Sequence, residues 1–139
     1  MAKPRVPAET QLLAYWFVKT FLKDEKFDYR KHGRHLKDAK RLVNPDDKEL
    51  KPYDPEAVKG CLLALRAGLF GFDGAIESMW CVTFAGEAGT YYEEYIQWAS
   101  RPPASYRLWE VKLWEICTGK SVLRDNHVII DVPIISDLP

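Results

Sequence analysis

Glycine and proline cut this chain into pieces of helical length, and the pieces between them carry apolar residues at helical spacing. Residues 1–7 hold two prolines and no periodicity, which predicts a loose leader. A first helix then runs over 8–23, with Glu9 in its first turn and Leu12, Leu13, Tyr15, Trp16, Val18, Phe21 and Leu22 on a broad apolar face. A second helix over 28–43 places Leu36, Ala39, Leu42 and Val43 on its buried side. After the polar loop between Asn44 and Pro52, Asp54-Pro55-Glu56 is a strong helix start. Asp54 is suited to cap, Pro55 fits the first helical position and Glu56 favours the dipole. That helix continues through Val58, Cys61, Leu62 and Leu65 to a stop at Gly68.

Residues 71–74 read as a turn, and 75–84 as either a short helix or a strand. Thr90 caps a fourth helix rich in aromatics, ended by Arg101-Pro102-Pro103. Ser105 caps a fifth, closed by Gly119. Residues 128–135 are β-branched and extended, but Pro133 argues against a central strand. The expectation is a mainly α-helical protein: a compact bundle of about five helices over 8–125, with a short extended or β tail over 126–139. Leu62, Leu65, Trp80, Trp98, Trp109 and Leu113 are the expected core.

The length of 139 residues suits one domain, and 47% hydrophobic content with 5 Trp can fill a core. No apolar run approaches the ~20 residues of a membrane span, and residues 1–7 lack the apolar stretch of a signal peptide. The cysteines Cys61, Cys81 and Cys117 are far apart among apolar neighbours, which predicts buried, reduced thiols and a cytoplasmic setting.

The net charge is +0, yet its distribution is uneven. Residues 1–43 hold 11 bases and 5 acids, and residues 44–139 hold 9 bases and 15 acids. Such an imbalance bears on partners and steering and not on fold. Its strongest part is the segment 19–41, with nine bases against four acids. Arg30, Arg34, Lys37 and Arg41 recur at steps of three and four, so they share a helix face. With Lys23, Lys26 and Lys31 they form the expected nucleic-acid-binding set, and Tyr29 or His32 is placed to stack on a base. The competing reading is an ordinary solvated face that pairs with the acidic half of the same protein or of a neighbour. A sequence pI near 6.8 weighs against a strong dedicated DNA binder.

Other constellations are weak. His32 and His35 have a metal-ligand spacing but no third ligand completes a pattern, so they read as part of the basic face. The acid pairs Asp24-Glu25, Asp46-Asp47 and Glu93-Glu94 read as solvated charge. No phosphate loop, dinucleotide fingerprint or nucleophile elbow occurs, and neither Cys61 nor Cys117 has a histidine near it in sequence. These observations point to a non-enzymatic protein with no cofactor and no metal.

The stretch His35-Leu36-Lys37-Asp38-Ala39-Lys40-Arg41-Leu42, then a loop, then Tyr53-Asp54-Pro55-Glu56-Ala57-Val58-Lys59-Gly60-Cys61-Leu62 and an aromatic-glycine turn, is similar to a helical module of bacteriophage and mobile-element replication accessory proteins, such as replisome organisers and helicase loaders. Tyr95-Ile96-Gln97-Trp98 resembles the end of a DnaD-like replication domain. The likeness covers residues 28–98, rests on helix-packing residues, and departs from the pattern in lacking a preceding winged helix and in its β-like tail. It implies binding to DNA or to a replication protein, without catalysis, and identifies no functional residue. The alternative is a protein-interaction or inhibitor protein that blocks a host protein through its acidic, aromatic-rich half without touching DNA. Residues 128–135 are apolar enough to require cover, either by the helices or by a second copy in a homodimer.

Overall fold

The computed structural model describes residues 7–47, 49–100 and 108–120. The described residues hold five α-helices and two 3-10 turns joined by loops, with no strand among them beyond an isolated bridge between Ala85 and Thr90. None of these helices is long and apolar enough to cross a membrane.

Helix α1, Ala8–Phe21, starts at Pro7, whose carbonyl accepts the amides of Thr10 and Gln11. Thr10, Leu13, Ala14, Phe17 and Val18 are its buried stripe. Leu12, expected on that face, points outward instead and is 60% exposed. The steps 10, 13, 14, 17, 18 define the seam, and position 12 falls outside it. The helix ends before Lys23, which adopts a left-handed conformation with φ 62°.

Helix α2, Tyr29–Val43, is capped by Asp28, whose Oδ1 accepts the Arg30 amide at 2.9 Å. It lies against α1 and against the 3-10 turn Met79–Thr83. That turn settles the segment 75–84, which is neither α-helix nor strand: Ser78 Oγ accepts the Trp80 amide, and Met79, Cys81 and Val82 go into the core.

Helix α3, Pro55–Arg66, is the centre of the molecule. It packs on α1, on α4 and on α5, so most of its circumference is buried, and the strip of Glu56, Lys59, Leu63 and Arg66 is not. Asp54 precedes it with extended backbone, and its carbonyl accepts the Val58 amide, but its side chain makes no cap bond. Pro55, at the first helical position, removes one of the unpaired amides of this helix end. A second 3-10 turn, Leu69–Gly71, follows Gly68 in its left-handed conformation.

Helix α4, Tyr91–Ala99, opens on a full capping box, with the Glu93 amide donating to Thr90 Oγ1 at 3.1 Å and the Thr90 amide to Glu93 Oε1 at 3.0 Å. Helix α5, Leu108–Thr118, buries Val111, Trp114 and Cys117. The expected cap Ser105, the Arg101-Pro102-Pro103 stop and the tail over 126–139 lie outside the described residues.

Leu62 and Leu65 are in the core as expected, and fully burying a side chain of that size is worth about 1.5–3 kcal/mol. Trp80, Trp98 and Leu113 are only half-buried against it. Trp109 is a correction: it is 50% exposed, and the tryptophan buried in α5 is Trp114. The inward set 111, 114, 117 turns 109 and 116 toward solvent. All three thiols are free and buried, as expected.

Candidate nucleic-acid interface

At 100° per residue, Arg30, Arg34, Lys37 and Arg41 fall within about 60° of the circumference of α2 and along about 16 Å of its axis. All four are exposed. The helix side opposite them is the one that carries its buried residues, His32, His35, Ala39, Leu42 and Val43. Packing that side against α1 is therefore what aims the cationic stripe outward.

Folding also decides which acids stay near the stripe. Asp28 spends its carboxylate on the helix cap. Asp24 is held by the Lys31 ammonium, with Nζ at 3.4 Å, and by the His32 ring, with Nε2 at 2.9 Å. The histidine bond, and then Lys31, hold the Asp24 carboxyl below its ordinary range. Asp38 sits between Arg34 and Arg41 on the helix, and burial raises its carboxyl against their opposing pull. Among the described residues, Arg30, Arg34 and Lys37 make no ion pair, whereas Lys40 pairs with Asp46 at 2.7 Å.

The expected set is thus divided. Arg30, Arg34, Lys37 and Arg41 stand together. Lys31 is at the stripe's edge, tied to Asp24. Lys23 and Lys26 are exposed but belong to the loop before α2, where Lys26 shares a shallow depression with Lys19, Asp24, Glu25 and the rings of Tyr15 and Phe27.

The histidines do not join the basic face. His32 and His35 are 3% and 1% exposed. His32 Nδ1 accepts the Asp28 amide at 3.0 Å, so Nε2 carries the proton and donates to Asp24. Its ring lies near Phe27, and that of His35 near Phe17. His32 is therefore unavailable to stack on a base. Helical geometry accounts for this: 32, 35, 39 and 42 continue the apolar seam. No three-ligand metal cluster exists among the described residues. Tyr29 remains exposed, its hydroxyl 2.8 Å from that of Tyr15.

One contact had no signal in the sequence. The Arg41 guanidinium lies 4.3 Å from the centroid of the Trp80 ring. This anchors the end of the stripe to the 79–83 turn, at about 0.5–1 kcal/mol for an exposed cation–π pair.

The acidic half is partly consumed by structure. Glu93 closes the α4 capping box, Glu56 pairs with Lys59 at 3.3 Å, and one carboxylate oxygen of Glu94 is buried. Among the described residues its exposed large apolar side chains are Leu50, Phe84, Ile96, Trp109 and Ile116, and of these Ile96 and Ile116 adjoin shallow surface grooves. Burial pushes the thiols of Cys81 and Cys117 up to about 11 and about 12, and that of Cys61 higher still, so none is a thiolate at neutral pH.

No family model, curated protein or solved structure matches this chain.

Proposed function

We infer that this protein binds the sugar–phosphate backbone of nucleic acid through the outer face of α2, as an accessory factor without catalysis of its own. The observation carrying this reading is the stripe of Arg30, Arg34, Lys37 and Arg41, exposed together while Asp28 is committed to the helix cap and Asp24 to Lys31 and His32. Four bases along about 16 Å suit a run of about five phosphates at 3.4 Å of helix axis per strand. A flat stripe of this kind reads charge and not base sequence. Replication of phage or mobile-element type is the setting that the likeness over residues 28–98 suggests.

Fluorescence anisotropy with a generic duplex at several salt concentrations tests the reading. Four phosphate contacts give a slope of about −3 to −4 in log affinity against log salt. Arg30→Ala with Lys37→Ala flattens it by about two and leaves the fold intact, since neither side chain has an ion pair to lose among the described residues. Absence of binding at low salt overturns the reading. The protein-blocking alternative then takes its place, favoured by the exposed Ile96, Trp109 and Ile116 on α4 and α5.

A further inference from the structure

We propose that the groove between α3, α4 and the end of α5 is the docking site for residues 121–139 of the same chain. The groove measures about 430 Å³ and reaches from Lys120 and Ile116 past Ile96 to Trp16. It continues into a second depression of about 160 Å³ that shares Asp54, Glu56 and Lys59 and has Leu12 on its wall. Three large apolar side chains stand uncovered along this path: Ile116 at 66%, Leu12 at 60% and Ile96 at 42% exposure. Such a row on a helical protein requires cover.

The occupant is set by where the described chain ends. Lys120, the last described residue, is itself part of the groove's lining, so residue 121 begins at its rim. The next seven residues, 121–127, reach up to about 23 Å when extended, which exceeds the ~18 Å length of α3. They are followed by Val128, Ile129, Ile130, Val132, Ile134 and Ile135, the most β-branched run in the sequence. A segment with that composition needs an apolar surface, and the groove offers one within reach. Charge is complementary as well: Asp54, Glu56 and Lys59 line the groove, and the segment carries Arg124 and Asp131. An extended strand over the groove covers Ile116 and Ile96 with alternate side chains.

The test uses the full chain. The three native thiols are buried, so Ser136→Cys takes a nitroxide selectively. In a ¹⁵N-labelled protein carrying this label, the amide signals of Ile96 and Ile116 should be lost through paramagnetic broadening, while those of Arg34 and Lys37 persist. Ile116→Lys should restore the Ile96 signal, whereas Trp109→Lys, outside the groove on the same helix, should not. Mixing nitroxide-labelled ¹⁴N chains with unlabelled ¹⁵N chains separates one chain from two. Broadening in the mixture assigns the groove to the tail of a second copy and overturns the proposal. Undiminished Ile96 and Ile116 signals in both samples also overturn it.

Discussion

The Tyr95 hydroxyl donates a 3.1 Å hydrogen bond to the Cys117 carbonyl at a point where Gly60 leaves room for both groups. This contact joins α3, α4 and α5. A Cβ on Gly60 would collide with the Tyr95 hydroxyl and stand 2.7 Å from the Cys117 carbonyl oxygen. A glycine mid-helix costs about 0.5–1 kcal/mol relative to alanine, and here close approach of the helices outweighs that cost. Gly60→Ala should therefore destabilise the protein by about 1–3 kcal/mol despite its better helix propensity. Tyr95→Phe alone should cost about 1 kcal/mol for the lost bond. In the double variant the two losses should be less than additive, because removing the hydroxyl removes part of the clash. Denaturant melts of the four proteins give the coupling.

The two tryptophans of α5 should behave in opposite ways. Trp114→Ala opens a cavity and should cost about 3–5 kcal/mol. Trp109→Ala should stay within about 0.5 kcal/mol, as for other exposed sites. Equal losses in thermal melts would contradict the orientation of the helix.

Acid should weaken the fold through His35. Burial, aided by Arg34 and His32, lowers its affinity for a proton below that of an ordinary histidine, and its Nδ1 has no hydrogen-bond partner among the described residues. The unfolded chain therefore binds this proton first as pH falls. Stability should be full above about pH 6.5, the unfolded value, and decline as pH drops from there toward the lower folded value. Asp24 acts in a more acidic window: its lowered carboxyl loses its contribution only as pH falls below the ordinary aspartate range. Comparing melts of His35→Leu with the parent between pH 7.5 and 5 isolates the first effect, which should vanish in the variant.

Caps should rank by geometry and not by residue type. Asp28→Ala and Thr90→Ala each remove an observed side-chain cap and should cost about 0.5–2 kcal/mol. Asp54→Ala should cost markedly less, since that side chain caps nothing. Chemical denaturation of the three variants gives the order.

Helix positions were largely legible in the sequence because caps, prolines and glycines act locally. Thr90 and Gly119 do what their residue types suggest. Orientation was harder. Leu12 and Trp109 have neighbours at helical spacing on more than one side, and only tertiary packing decides which side faces the core. The stripe Arg30, Arg34, Lys37, Arg41 was legible from its period alone. The burial of His32 and His35 was masked by their polarity, although their spacing with Ala39 and Leu42 carried the seam. Asp24 closing on His32, and Trp80 beneath Arg41, join segments whose approach no local pattern reports.

The position of α3 sets how this molecule opens. Packed against three other helices, its amides should be the slowest to exchange with deuterium, and their protection should report global stability. Helix α2 rests on α1 and on one 3-10 turn. Its contact with α1 is broader than the contact of α1 with α3, so α1 and α2 should open together, at lower free energy, while α3, α4 and α5 stay assembled. The surface proposed to meet nucleic acid thus rides on the more yielding part of the fold, and a bound phosphate chain would slow exchange in α2 first.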